Sequence, residues 1–152
     1  MSALFSEIDA MIMKFFQGLR KQQELKKHWL EFYAEVDKNL ESYYVMFQLD
    51  RLRFFNLEVW ERIKNNADVR MTSDVLRYTE ILNAYNKTLK SFKDYEEWYS
   101  SDLKNKIPEN GRILHAKKDE AQEKFQGLEN IIKRAQQNVR QQLMDLKIMK
   151  SV

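Results

Sequence analysis

Residues 112–150 read RILHAKKDEAQEKFQGLENIIKRAQQNVRQQLMDLKIMK, and the spacing of their apolar side chains decides the fold class. Leu114, Ala121, Phe125, Leu128, Ile132, Ala135, Val139, Leu146 and Met149 recur at heptad positions, with gaps only at Lys118 and Gln142. A seam of this kind belongs to a coiled-coil-like helix that buries one stripe against a partner. A helix is predicted over 112–150.

Immediately upstream, Ile107-Pro108-Glu109-Asn110-Gly111 is the strongest punctuation in the chain. Pro108 disfavours a helical Ile107, and Asn-Gly suits positive φ. Before it, Tyr78, Leu82, Tyr85, Leu89, Phe92, Tyr95, Tyr99, Leu103 and Ile107 form a second stripe, rich in aromatic rings. Thr72-Ser73-Asp74 supplies residues that cap a helix start, so a helix is predicted over 74–107. The two helices, about 50 and 58 Å long, are similar enough to lie antiparallel across the Pro108 loop.

The first third carries fewer signals. Asn65-Asn66-Ala67-Asp68 is a weak break, and nothing between Leu19 and Ile63 stops a helix. Gly18 and the polar run Arg20–His28, in which Leu25 is the only apolar residue, suggest a bend over 18–24. The expectation is a short amphipathic helix over 3–19 and a long helix over 23–65. Within the latter, twelve of the eighteen residues 43–60 are apolar or aromatic, more than one stripe requires. The alternation Phe55, Leu57, Val59 permits a strand, but no turn signals bound it. The fold class expected is therefore all-α, a single domain over 1–152 forming a long antiparallel helical bundle.

Composition narrows the function classes. Three glycines and one proline in 152 residues leave little room for turns, and 43% hydrophobic content is far too apolar for a disordered chain. The absence of cysteine removes disulfides and thiolate chemistry and is compatible with a reducing cytosol, so a cytoplasmic setting is expected. The apolar run at the N-terminus carries Glu7 and Asp9 and has no positive leader, so it does not read as a secretory signal. No window approaches the ~18 uncharged apolar residues of a membrane span.

Catalytic and metal signatures are weak. His28 lies among Glu24, Glu31 and Glu35 at helical spacing, but helical di-iron sites need Glu-x-x-His twice, and here the order is reversed and single. His115 with Asp119 is a poor second copy. No phosphate loop, nucleophile elbow or H-E-x-x-H occurs. No enzyme activity, cofactor or metal is expected. Trp29, Trp60 and Trp98 fall on or near apolar stripes and read first as core.

Three surfaces remain as candidates. Leu4, Phe5, Ile8, Met11, Ile12, Phe15, Phe16 and Leu19 fall within an arc of about 140° on a helix and form a docking face. Glu7, Asp9, Lys14 and Arg20 on its polar side sum to zero, which favours protein over membrane as the thing docked. Phe47, Phe54, Phe55, Leu57 and Trp60 form a candidate partner or dimer face, since surplus apolar surface on residues 43–60 has to be covered. Lys133, Arg140 and Lys147 form a heptad-spaced basic stripe in the one basic segment, residues 112–152 with nine basic and five acidic side chains. Glu129 and Asp145 interrupt it, which argues against nucleic acid. The function expected is non-enzymatic, acting through protein–protein contacts as a homodimer or with another protein. A peripheral membrane module using residues 3–19 is the alternative, and a nucleic-acid binder using the last helix is the second.

Overall fold

The computed structural model describes residues 2–65 and 72–146, the side chains of residues 2–5 excepted. Its α-helices are α1 (Ser2–Leu49), α2 (Glu58–Ile63), α3 (Ser73–Ser101), α4 (Pro108–Phe125) and α5 (Leu128–Asp145), with a 3-10 turn at Leu103–Asn105; no strand occurs among the described residues. The all-α class is as expected. The helix boundaries differ, each for a physical reason.

α1 runs unbroken through Gly18, so the expected bend over 18–24 is absent. One glycine costs a helix about 1 kcal/mol, less than the hydrogen bonds a break would forfeit, and its neighbours Leu19, Arg20 and Lys21 are good helix formers. The polar run that looked like a hinge is simply solvated helix. The real interruption lies at Asp50, which takes a left-handed φ of 50° while Arg51 N–H donates to Met46 O at 3.2 Å. That bond closes α1 as a Schellman motif does, with a polar residue where glycine is usual. The helix expected over 23–65 therefore ends at Leu49.

From Asp50 the chain turns back along α1. The apolar surplus of residues 43–60 is thus two elements facing one another, rather than one helix apolar all round. Phe55, Leu57, Trp60 and Ile63 on the return leg are buried with Trp29, Phe32, Val36 and Met46 of α1.

Side chains of α1 and α3 hold this leg by its backbone. Phe55 N–H donates to Asn86 Oδ1 and Phe55 O accepts from Asn86 Nδ2, both at 3.0 Å. On the opposite side Asn39 Oδ1 accepts from Asn56 N–H at 3.1 Å and Asn39 Nδ2 donates to Asn56 O at 2.8 Å. Tyr85 O–H donates to Arg53 O at 2.9 Å. The Glu35 carboxylate accepts from Val59 N–H and Trp60 N–H, at 2.8 and 3.1 Å, and so caps the start of α2. Among the described residues no buried side-chain nitrogen or oxygen lacks a partner.

Thr72 caps α3, its hydroxyl accepting from Val75 N–H, and the helix stops at Ser101 rather than 107. Pro108 opens α4 at its first turn, where a missing N–H costs nothing, so that helix starts four residues earlier than expected. As far as the described residues go, the helix expected over 112–150 is two, divided at Gln126-Gly127, with Gly127 at φ 79°; residues 147–150 of that expectation, Met149 among them, lie outside the described residues. The division has a packing cause. α4 lies along α3, whereas α5 packs between α1 and α3, and one straight helix cannot follow both. Beyond the break the stripe resumes as Leu128, Ile132, Ala135, Val139 and Leu143, all buried, with Leu143 taking the place that Gln142 interrupts.

The hydrogen bonds fix directions. α5 is antiparallel to α1 (Tyr44 to Glu129, Gln136 to Asp37), and α4 to α3 (Lys117 to Ser91). α1 and α3 are parallel, since Asn39 meets Tyr78 and Met46 meets Tyr85. The uniformly antiparallel bundle expected from the sequence is corrected on this point: the leg 51–63 uses up the return stroke, so α3 sets off in the direction of α1. At the centre Phe32 touches Trp29, Trp60 and Tyr78, at ring separations of 6.4, 5.8 and 6.2 Å.

Two outcomes follow. Gly127→Ala should destabilise by about 1–2 kcal/mol, because its left-handed backbone is strained for any Cβ although the space around it is open. Gly18→Ala, also in open space but inside α1, should instead stabilise by up to about 1 kcal/mol in urea unfolding; the same sign at both sites would show one of the two conformations to be wrong. Burial pushes the Glu35 carboxyl above its ordinary 4.5, against the two N–H donors, with Glu58 adding repulsion. The native state then holds this proton more tightly than the unfolded chain, so stability should fall as pH rises through the interval above 4.5. Glu35→Gln should flatten that slope and cost about 1–3 kcal/mol at neutral pH, since Val59 and Trp60 donate to separate carboxylate oxygens and the amide NH2 would face one of these donors.

Candidate interaction surface

The first half of α1 leaves the body of the molecule. Every described side chain from Ser6 to Glu24 is exposed; partial burial starts at Leu25 and full burial at Trp29. This arm, about 28 Å of helix, stays helical because the anchored half of α1 has already nucleated it and each further residue adds a hydrogen bond. Ile8, Met11, Ile12, Phe15, Phe16 and Leu19 are 40–69% exposed along one side of it. The rings of Phe15 and Phe16 meet each other edge-on at 6.0 Å. Leu4 and Phe5, the outer members of the same predicted face, have side chains outside the described residues.

The predicted face on residues 47–60 is divided. Phe55, Leu57 and Trp60 are buried against the chain's own helices by the return leg, which removes them from any outer surface. Phe47 and Phe54 are exposed, Phe47 stacked at 6.4 Å on Tyr43 and Phe54 under the ammonium of Lys93 at 5.1 Å. Tyr43 also stacks on Phe125 at 4.8 Å, and these three rings with Asp50 border an open cavity of about 410 Å³ at the α4–α5 corner.

The basic stripe is partly neutralised. Lys133 bonds Glu129 at 2.7 Å, and the Tyr44 hydroxyl donates to the same carboxylate at 2.9 Å. The Lys133 and Tyr44 hydrogen bonds hold the Glu129 carboxyl below its ordinary range, and the bond to Glu129 raises the Lys133 ammonium. Arg140 is exposed, and Lys147 lies outside the described residues.

Of the carboxylates spaced around His28, Glu31 pairs with Arg62 and, at 3.9 Å, with Lys27, and Glu35 caps α2. Among the described residues no three His, Asp or Glu side chains are grouped to hold a metal ion. His115 and Asp119 lie 3.5 Å apart on the surface. Trp29 and Trp60 belong to the core; Trp98 is exposed beside Tyr95, with ring centroids 5.3 Å apart.

A second apolar surface was not foreseen. The α3 stripe is buried only as far as Phe92, and beyond it Trp98, Ile107, Ile113 and above all Leu103, 83% exposed, crown the tip of the α3–α4 hairpin. The aromatic spacing continues past Phe92, so periodicity alone carries no sign that α1 has ended and the partner is gone. Because α1 and α3 are parallel, tip and arm lie at opposite ends of the molecule. Among the described residues no helix is long and apolar enough to cross a membrane.

Comparison with protein-family models, with curated proteins and with solved structures finds no match to this chain.

Since residues 6–24 are exposed among the described residues, Phe15→Ser with Phe16→Ser should change the unfolding free energy of the monomeric chain, measured at a dilution where no pairing between chains contributes, by no more than about 0.5 kcal/mol. Ile132→Ala in the core should cost about 2–5 kcal/mol in the same urea titration. A large loss in the double serine variant would mean the arm folds onto the body.

Proposed function

We propose that the protein is a non-enzymatic helical module that works through protein–protein contacts, with the arm of α1 as its working surface. One observation carries this reading: an apolar face that spans residues 8–19, on a well-formed helix, is left exposed by the described residues of its own chain. Contiguous apolar surface of this extent marks an interaction site in a folded protein. The balance of charge supports a protein partner over a membrane, because helices that lie in anionic interfaces draw on Lys and Arg along the polar face. Here Glu7, Asp9 and Glu24 offset Lys14, Arg20 and Lys21. The body acts as a rigid anchor, its Trp29–Phe32–Trp60–Tyr78 cluster fixing the base of the arm.

The test places a photoreactive benzophenone side chain at position 11 in the full chain. Irradiation is expected to yield protein–protein adducts, and vesicles rich in phosphatidylserine are expected to leave the chain in solution. Adducts to lipid alone, with vesicle retention abolished by Phe15→Ser and Phe16→Ser, would replace this reading by the membrane one.

A further inference from the structure

We infer that the partner of the arm is a second copy of this chain, paired through residues 8–19 as an antiparallel helix pair about a two-fold axis near Met13 and Lys14. The inference rests on the reading of the arm as a protein-binding surface and names what that surface binds.

Area is the first argument. Six side chains 40–69% exposed present about 600 Å² of apolar surface, taking 150–250 Å² for a whole aromatic side chain as the scale. That is at the top of the roughly 300–600 Å² patch a monomer leaves exposed. With the stems of flanking side chains added, it approaches the ~800 Å² that each partner contributes to a standard interface. Two arms therefore suffice to cover one another.

Charge sets the orientation. Glu7 and Asp9 lie towards the outer end of the arm and Arg20 and Lys21 towards its base, with Lys14 near the middle and Glu24 inward of the paired face. Parallel pairing sets acid against acid and base against base along the whole contact. Antiparallel pairing brings the acidic end of each arm over the basic end of the other and opposes the two helix dipoles.

Overlap sets the register. The pairing that covers the described face from end to end sets Ile8 level with Leu19, and Ile12 level with Phe15, of the other copy. These four positions are spaced as the a and d residues of a heptad. In this register Leu25, where the body begins, is level with residue 2 of the other copy, so the two bodies lie at opposite ends of the pair. A closed two-fold dimer results, the commonest oligomeric solution.

The chain contains no cysteine, so introduced thiols report the geometry directly. Full-length chains carrying Ile8→Cys and Leu19→Cys are mixed and mildly oxidised. A disulfide between the two variants is expected, and none within Ile8→Cys alone, whose thiols would be separated by about 16 Å along the helix. Light scattering is expected to give twice 18.4 kDa at micromolar concentration. Phe15→Ser with Phe16→Ser should weaken the pair at least about a hundredfold, given what each buried phenylalanine contributes. A mass that stays at 18.4 kDa at all concentrations overturns the inference, as does self-crosslinking of Ile8→Cys, which indicates parallel arms. If the benzophenone at position 11 captures other proteins while the mass stays monomeric, the self-pairing is wrong and the protein-binding reading stands. If it captures only lipid, both fall.

Discussion

Every peptide group between Arg53 and Trp60 that is withdrawn from water has to find a hydrogen-bond partner, and the helices alongside have already spent their own backbone groups within themselves. The partners are side chains. Asn86 reads both polar atoms of Phe55, Asn39 reads both of Asn56, and Glu35 takes the first free N–H groups of α2. Two amides on two different helices thus grip adjacent residues from opposite sides. Such a grip is specific in a way that apolar packing is not, since a shift of one residue would break four part-buried hydrogen bonds at once.

The rest of the architecture follows from that grip. With the leg fixed antiparallel to α1, α3 must start where α1's buried half starts and run beside it. Two parallel helices joined by a returning leg leave a groove on their far side, and α5 fills it with Leu128, Ile132, Ala135, Val139 and Leu143. α3 outruns α1 at one end and needs α4 to cover it. α1 outruns the other described elements at the opposite end, and among the described residues nothing covers it. The exposed arm and the exposed hairpin tip are two results of the same offset between parallel helices of unequal length.

Helix content, the Pro108 hairpin and the α5 stripe were legible in the sequence because each rests on local spacing. The two glycines in helical surroundings were not. Gly18 was read as a break and Gly127 was read through, although the structure does the reverse. The difference lies in tertiary demand, since Gly127 sits where the chain must change partner helix and Gly18 where no described residue packs. Asp50 gave no warning either, because aspartate at a helix end is ordinary and only its left-handed φ marks the reversal. Asn39, Asn86 and Glu35 look like solvated helix positions on any wheel, and their roles depend on a segment some twenty to thirty residues distant. Of the candidate surfaces, the arm was visible as an amphipathic arc, but whether the chain covers it could not be read from an arc. The opposite held for Phe55, Leu57 and Trp60, apolar enough for an interface and used inside.

The antiparallel seating of α5 on α1 also governs the order in which the molecule assembles. Its contacts join residues 85 to 99 positions apart, as in Tyr44 with Glu129 and Asp37 with Gln136. During synthesis the face bearing Trp29, Phe32 and Val36 emerges with its helix early, and the return leg reaches it soon after, but the α5 side stays uncovered until the whole α3–α4 hairpin has been made. Bringing such distant segments together is slow compared with helix formation, and for that interval the apolar groove that α5 fills stands open on the nascent chain. A protein of nearly pure helix, expected from its class to fold fast, therefore carries the closure delay and the aggregation hazard usual in folds held together by distant strands.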